Sequence, residues 1–271
     1  MPQDTETLSL RVCAERLGVH YMTVYRYVRT GMLPAVKRGS EWRVAVSDLE
    51  SFSSPAPMPV ARGETNWSDR LKSRMMAGDE RGSWLVVEAC MASGLTPERV
   101  YLEVMAPALR DIGDAWIRGD ATVADEHRAS VVAHRLIGRL GSRFAARGRP
   151  RGTVVLGAPP GERHRLPMAM VADILRAAGY QVMDLGSDVP VESFVEAVRD
   201  TAPLAVGISV TGASSLRPAA EVARAIKAVS DTPILFGGIA VEDAPHAARL
   251  GGDGYAADGA SAAAWVAGLN R

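Results

Sequence analysis

The chain of 271 residues carries 31 basic and 31 acidic side chains, and 47% of its residues are hydrophobic. That length is sufficient for two or three domains with packed cores. The balanced charge argues against a protein that binds nucleic acid through a surface that is basic throughout, but it permits a local basic patch.

The sequence lacks the features of export and of membrane insertion. The opening MPQDTETLSL has neither the basic nor the apolar region of a signal peptide, and no apolar run is long enough to cross a bilayer. Cys13 and Cys90 lie far apart in apolar helical patterns, which is typical of free thiols in a reducing compartment. We therefore expect a cytoplasmic protein without a membrane partner.

Residues 1–52 are predicted to form a winged helix-turn-helix domain. Apolar residues recur at helical spacing in SLRVCAERLGV, where Ser9 suits the N-cap, and a second helix capped by Thr23 is expected in MTVYRYVRTG. The segment LPAVKRGSEWRVAV has the pattern of a hairpin of two short strands. A further short helix is expected in SDLESF.

This domain also has a local excess of positive charge. Between residues 11 and 43 there are seven basic and two acidic residues, which is the pattern expected for phosphate binding. The alternative is a small protein-binding module with a solvated basic face, and the charge excess favours DNA. The candidate DNA-contacting residues lie on the second helix and on or near the wing: Thr23, Tyr25, Arg26, Arg29, Lys37, Arg38 and Arg43.

The stretch RVCAERLGVHYMTVYRYVRTGMLPAVKRGSEWRV resembles the excisionase and MerR-like winged helices. The resemblance implies double-stranded operator DNA as the partner. Because one such domain makes few contacts, specific binding calls for a homo-oligomer, either a dimer or a tetramer.

Residues 53–66 are rich in serine and proline and show no periodicity, which predicts a linker. Residues 67–148 contain four segments with apolar positions at i, i+3, i+4 and i+7. Thr96 and Pro97 form a good N-cap and N1 pair for one of them. Because the connections are short, we expect an all-α, antiparallel four-helix bundle.

Residues 149–271 alternate strands with helices. Five strands are expected, in GTVVLG, QVMDLG, LAVGISV, TPILFGG and DGYAAD, each followed by a loop or helix. Such alternation specifies a parallel, doubly wound sheet, here a flavodoxin-like (Rossmann-type) α/β domain. Ligands bind such sheets beyond the carboxyl ends of the strands.

The loop after the first of these strands carries a histidine. Its sequence ERHRLP resembles the acidic-x-His-x-x-Gly motif of cobalamin-binding domains, with Pro167 in place of the glycine. The resemblance implies that His164 replaces the cofactor's own benzimidazole as the lower axial ligand of cobalt. Glu162 is then expected to bond the other ring nitrogen, which fixes the tautomer and raises the basicity of the ligand.

Two further loops match the same family. Ser209 and Thr211 in SVTGASS are expected to offer hydroxyl groups to the displaced nucleotide tail. Gly237 and Gly238 lack Cβ atoms, so the tail can lie against the backbone. The alternative for His164 is a loop histidine on a response-regulator-like domain, but the strand ends VVLGAPP, without the aspartate of a phosphoacceptor.

The bundle carries a second group of candidate residues, in WIRGDATVADEH. Trp116, followed after nine residues by Glu126 and His127, resembles the cobalamin-binding photoreceptor regulators of the CarH type. The resemblance implies that these three line a cavity for a 5′-deoxyadenosyl upper ligand. The alternative is that Trp116 belongs to the bundle core and that Glu126 and His127 merely begin a helix.

One position departs from the pattern of the CarH type. Some members carry a histidine directly after the tryptophan, and it binds cobalt once light has cleaved the upper ligand. Ile117 occupies this position here, so His127, His134 or water is left to take the vacated site.

The sequence therefore predicts a non-enzymatic, cobalamin-dependent regulator of transcription, with adenosylcobalamin as cofactor and light as signal. Two alternatives stay open. One is a regulator that senses cobalamin or methylcobalamin without photochemistry. The other is a corrinoid carrier for methyl transfer, which the winged helix disfavours.

Overall fold

The structure is a computed structural model that describes residues 7–17, 21–29, 33–39, 41–53, 66–146 and 148–269. The chain divides into two compact units, Met1–Thr65 and Asn66–Arg271. Most of the segment predicted as a linker, residues 54–65, lies outside the described residues. None of the helices in the described ranges combines the length and the apolarity that a membrane crossing requires.

The first unit is a winged helix-turn-helix, as predicted. Its elements are β1 (Thr7–Ser9), α1 (Leu10–Leu17), α2 (Tyr21–Arg29), β2 (Val36–Arg38), β3 (Glu41–Ala45) and α3 (Val46–Ser53). The strands form an antiparallel sheet in the order β1-β3-β2. Cys13, Val24, Leu33, Val44 and Leu49 are buried between the helices and this sheet.

Two details of this unit differ from the prediction. Strand β1 was not expected, because its three residues are too few to show a period of two. Helix α2 begins at Tyr21, so Thr23 lies inside the helix and is not its N-cap. Ser9 does act at the start of α1, where its Oγ accepts a hydrogen bond from the Val12 backbone at 3.4 Å.

The second unit begins with the predicted four-helix bundle. Its elements are α4 (Trp67–Met76), α5 (Glu80–Ala92), α6 (Pro97–Arg99), a π-helical stretch (Val100–Met105), α7 (Ala106–Arg118) and α8 (Val123–Gly141). Because α6, the π-helical stretch and α7 follow without a break, they form the third long helix of the bundle. The N-cap side chains of Asn66, Asp79, Thr96 and Thr122 each accept a backbone hydrogen bond.

The remainder of this unit is a five-stranded parallel sheet with helices on both faces. Its elements are β4 (Thr153–Gly157), α9 (Leu166–Ala177), β5 (Gln181–Asp184), α10 (Val191–Thr201), β6 (Ala205–Ser209), α11 (Leu216–Lys227), β7 (Ile234–Gly237), α12 (Ala244–Arg249), β8 (Gly254–Ala256) and α13 (Gly259–Gly268). The strand order β5-β4-β6-β7-β8 is that of the predicted flavodoxin-like domain. Helix α12 was not expected, although Asp243 at its N-cap and Pro245 in its first turn are sequence features of a helix start.

The bundle packs against helix α9 of the α/β domain. Leu166, Met170 and Ile174 of α9 share one buried cluster with residues of the bundle such as Leu136 and Leu140 of α8. Helix α9 therefore lies between the sheet and the bundle, and the loop that precedes it opens at their junction.

Candidate functional site

The loop that follows β4 holds His164 at the carboxyl edge of the sheet. Backbone contacts fix this loop, since Gly161 N donates to Asp188 Oδ1 at 2.7 Å and Asp188 N donates to the Glu162 carbonyl at 2.8 Å. The His164 side chain is 59% exposed, and its Nδ1 lies 2.5 Å from Glu162 Oε1. This contact occupies Nδ1 and leaves Nε2 as the ring nitrogen available to a metal.

Glu162 is buried although it carries a carboxylate. Only 1% of its surface is exposed, and it accepts hydrogen bonds from the backbone N–H groups of His164, Thr211 and Gly212 as well as from the His164 ring. Burial raises the pKa of Glu162, but these bonds together lower it to about 2. The carboxylate is therefore ionised, and it ties the loop after β4 to the loop after β6.

The neighbouring loops contain the other residues expected to bind the nucleotide tail. Strand register pairs Ser209, the last residue of β6, with Gly237, the last residue of β7. The Thr211 hydroxyl is buried and, among the described residues, has no hydrogen-bond partner. An orphaned buried hydroxyl at a ligand-binding edge suits a polar ligand, so this residue fits the predicted tail.

Gly237, at the end of β7, and Gly238, directly after it, have a structural role that the sequence did not predict. A Cβ atom at Gly238 would lie 2.3 Å from the Val210 carbonyl oxygen, and Gly238 has φ of +96°. A Cβ atom at Gly237 would lie 3.0 Å from the Ala256 carbonyl oxygen. These glycines therefore allow backbone segments of the domain itself to approach one another.

Trp116, Glu126 and His127 lie where α7 ends and α8 begins. Gly119, with φ of +78°, ends α7, and Thr122 caps α8, so the two helices are joined by a short turn. Trp116 is 47% exposed and Ile117 is 76% exposed, so neither belongs to the buried core of the bundle. Exposure of this kind is unusual for a tryptophan in a packed bundle and leaves its ring free for a ligand.

Glu126 interacts with His164 across the junction between bundle and sheet. The hydrogen bond with Glu162 is the main cause that raises the pKa of His164, and the charges of Glu162 and Glu126 add to it against the opposing effect of burial. Glu126 also accepts a hydrogen bond from Ser130 at 2.7 Å and lies 3.0 Å from His127 Nδ1. The charge of Glu126 on the bundle therefore contributes to the raised pKa of His164 in the α/β domain.

Arg165 was not among the predicted site residues, and it lies in the same region. It is exposed and follows His164 directly in the loop. Burial lowers the pKa of His134 on α8, and the charge of Arg165 lowers it further. The basic residues on either side of His164 in ERHRLP were visible in the sequence, but the proximity of Arg165 to α8 was not.

The predicted DNA-contacting residues belong to the first unit. Lys37 and Arg38 are exposed on β2, and Arg43 on β3 forms an ion pair with Glu41 at 3.0 Å. Tyr25 is half-buried and stacks on Tyr21, an exposed residue that the sequence did not suggest. Thr23, Arg26 and Arg29 lie on α2, but their side chains are outside the described part of the chain.

Comparison with protein-family models gives three matches. Residues 7–52 match a helix-turn-helix domain, residues 67–140 match a B12 binding domain, and residues 152–264 match a second B12 binding domain model. The order of the three matches is the order of the winged helix, the bundle and the α/β domain along the chain.

Curated proteins with similar sequences fall into two groups. The chain is 33% identical over 185 residues to the HTH-type transcriptional repressor CarH of Myxococcus xanthus. The aligned residues make up 68% of this chain but only 58% of that protein. It is 31% identical to dimethylamine corrinoid protein 2 of Methanosarcina mazei, over 66% of this chain and 79% of that protein.

Among solved structures, the monomethylamine corrinoid protein of Methanosarcina barkeri shares the fold. It superposes with a TM-score of 0.67 at 19% identity, over 75% of this chain and 98% of the other. The chain therefore belongs to the family of B12-binding proteins, and its combination of a helix-turn-helix domain with two B12-binding domains is that of the CarH-type regulators.

Proposed function

We propose that this chain is a cobalamin-dependent, DNA-binding regulator of transcription and not an enzyme. The observation that carries the proposal is that His164, held by the buried Glu162, occurs in one chain with a basic winged helix. The Myxococcus xanthus relative is named as a transcriptional repressor. The basic surface of the winged helix is suited to double-stranded operator DNA.

In this proposal Nε2 of His164 would be the protein's ligand to cobalt, because Nδ1 is taken by Glu162. Glu162 accepts the proton of Nδ1, which fixes the tautomer and makes the ring a stronger ligand. Ser209, Thr211, Gly237 and Gly238 line the edge that takes the nucleotide tail, and the orphaned hydroxyl of Thr211 fits that role.

We propose adenosylcobalamin as the cofactor and light as the signal. When bound, adenosylcobalamin supplies a cobalt–carbon bond that visible light breaks. Trp116 offers an aromatic face to the purine, and Glu126 and His127 offer hydrogen-bond partners to the ribose hydroxyls. Exposure of Trp116 and the influence of Glu126 on His164 support this arrangement.

The response to light then follows from lost contacts. With the adenosyl group in place, Trp116 and Glu126 hold the bundle over the sheet and favour a dimer or tetramer that presents several winged helices to DNA. Once those contacts are lost, the bundle shifts and the assembly changes. The ligand acts through its differential affinity for the two states.

Two measurements test the lower ligand. Reconstituted wild-type protein is expected to show the absorption spectrum of cobalamin with the benzimidazole displaced, and His164→Ala is expected to lose it. Electron paramagnetic resonance of the Co(II) form, bound to protein labelled with ¹⁵N-histidine, is expected to show the two-line splitting of a ¹⁵N ligand. The three-line splitting of ¹⁴N would mean that the native base stays on the metal.

A second candidate function has its own supporting observation. Ile117 directly follows Trp116, is 76% exposed and offers cobalt no ligand atom. This favours a regulator that senses cobalamin or methylcobalamin without photochemistry. Comparing the DNA affinity of the apo and the loaded protein, both kept in darkness, separates this candidate from the light sensor.

The similarity to the dimethylamine corrinoid protein supports a third candidate, a corrinoid carrier for methyl transfer. The winged helix disfavours a carrier function, because methyl transfer does not require a DNA-binding domain. A methyl-transfer assay on the loaded full chain tests this candidate, and we expect no transfer.

A further inference from the structure

The largely apolar interface between the bundle and helix α9 contains a buried carboxylate. Leu166, Met170 and Ile174 of α9 pack against the bundle core, and Asp173 lies among them with only 5% of its surface exposed. A carboxylate in such a place is costly unless it is hydrogen-bonded. The proposed binding of cobalamin makes no use of this residue.

The partner of Asp173 in the bundle is Tyr101, which is fully buried. Its hydroxyl donates to Asp173 Oδ2 at 2.8 Å, and Arg176 Nη1 donates to the other carboxylate oxygen at 2.9 Å. Burial and the charge of Asp173 raise the pKa of Tyr101, so the phenol keeps its proton and remains a donor. The tyrosine ring stacks on Phe144 with centroids 4.7 Å apart.

Tyr101 also contacts α8. Its hydroxyl oxygen lies 3.4 Å from the Ile137 carbonyl oxygen, a longer and weaker contact than the one to Asp173. Tyr101 therefore reaches from the third helix of the bundle to both α8 and α9. It belongs to the π-helical stretch Val100–Met105, and such stretches within helices are frequent at functional sites.

The two helices that Tyr101 joins carry the residues proposed for opposite faces of cobalamin. Helix α8 carries Glu126 and His127 near its start, and helix α9 begins two residues after His164. Apolar contacts alone tolerate sliding of one helix along another. A buried hydrogen bond to a charged group tolerates it poorly, since a shift would leave Asp173 unpaired.

We infer that Tyr101 and Asp173 are positioning residues, which hold the bundle so that Trp116 and Glu126 stand opposite His164. This inference rests on the proposed function in one respect, namely that Trp116 and Glu126 contact the upper ligand. Neither Tyr101 nor Asp173 touches the cofactor in this proposal.

The test compares the affinity of the full chain for two cobalamins in the dark. Adenosylcobalamin and hydroxocobalamin share the lower face and the tail but differ in the upper ligand, so the ratio of their dissociation constants isolates the contribution of the bundle. We expect Tyr101→Phe, which removes only the hydroxyl, to reduce the preference for adenosylcobalamin about 5-fold or more. The absorption bands that report the His164 ligand should stay unchanged.

Variants at Asp173 supply a conservative rescue. Asp173→Asn keeps an oxygen that can accept from Tyr101 and should retain most of the preference, whereas Asp173→Leu should lose it. Ile112→Val is the matched control, because Ile112 is 2% exposed in the bundle core and its truncation weakens the fold without removing a polar contact. It should leave the ratio unchanged.

A second measurement needs no cofactor. In the apo protein, backbone amides of α8 and α9 should exchange hydrogen faster in Tyr101→Phe than in Ile112→Val at equal global stability. The inference is overturned if Tyr101→Phe keeps the wild-type ratio, or if Ile112→Val lowers the ratio as much. Should wild-type protein show no preference at all, the proposed upper-ligand contact fails, and equal amide exchange in the two variants then rejects the positioning role as well.

Discussion

The residue on which the candidate site depends is Glu162, the buried partner of His164. Its two oxygens accept four hydrogen bonds, from the ring and the backbone N–H of His164 and from two backbone N–H groups of the loop after β6. One carboxylate thus positions the His164 ring and joins the loop after β4 to the loop after β6. A single substitution here should affect metal binding before it affects the remainder of the fold.

We predict that Glu162→Gln weakens cobalamin binding by about 10-fold or more, because an amide cannot accept all four bonds or keep His164 as basic. The measurement is titration of apo protein with cobalamin, followed by absorbance. Asp188→Asn is the control, since Asp188 also bonds this loop through Gly161 N but does not touch His164. Equal weakening by both variants would mean that Glu162 acts only by supporting the loop.

Because the phenol of Tyr101 is buried, we expect the free energy of unfolding to depend on pH in the alkaline range. Its pKa is raised above the ordinary value of 10.0, so its contribution to stability is complete below pH 10 and is lost as the pH rises further. Between pH 9 and pH 11 we expect the free energy of unfolding of the wild type to fall by about 1 kcal/mol more than that of Tyr101→Phe. Parallel curves for the two proteins in urea denaturation would contradict this.

At the scale of elements, the end of β7 depends on close packing of backbone. We predict that Gly238→Ala destabilises the protein by about 2 kcal/mol or more, because the new Cβ would meet the Val210 backbone and φ is positive. Gly138→Ala on α8 is the control, since nothing lies within 4 Å of its Cβ position. There the substitution should stabilise the helix by up to about 1 kcal/mol. Thermal unfolding of both apo variants measures the difference.

The wing strand β2 carries two exposed basic residues, Lys37 and Arg38. We predict that Lys37→Ala and Arg38→Ala each weaken DNA binding and lower the slope of log K against log salt by about one. Arg217→Ala, an exposed arginine on α11 of the other unit, should change neither quantity. A salt slope that stays at the wild-type value in both wing variants would argue against phosphate contacts by the wing.

The fold was predictable from the sequence because each element has a clear period and clear boundaries. The four bundle segments repeat at 3.6 residues, and the five strands alternate with helices, so the order of elements followed directly. The elements that were not expected, β1 and α12, have three and six residues. Segments of that length are too short for hydrophobic periodicity to distinguish them from loops.

The candidate site was less predictable than the fold, because part of it depends on contacts between segments that are distant in the sequence. His164 and Trp116 could be identified from the sequence, by the chemistry of their side chains and the spacing of their motifs. The backbone donors of Thr211 and Gly212, and the pairing of Tyr101 with Asp173, depend on which loops and helices meet in space. Asp173 is nevertheless a visible irregularity, as an acid in the otherwise apolar run LPMAMVADIL.

At the scale of the whole molecule, the chain joins a unit suited to DNA with a unit that belongs to the B12-binding family. In the proposed mechanism, several winged helices on one assembly bind operator DNA more tightly than one, so a change of assembly would change DNA binding. The proposal therefore makes the state of the cobalamin, not its presence alone, the variable that sets DNA affinity.

One experiment decides between this proposal and a chain that merely carries cobalamin. Full-length protein loaded with adenosylcobalamin in darkness is divided in two, and one half is exposed to green light. Sedimentation gives the mass of each half, and a gel-shift titration gives its affinity for operator DNA. We predict a larger assembly and tighter DNA binding in the dark half. Identical mass and identical affinity in the two halves would show that light acting on this cofactor does not control the protein.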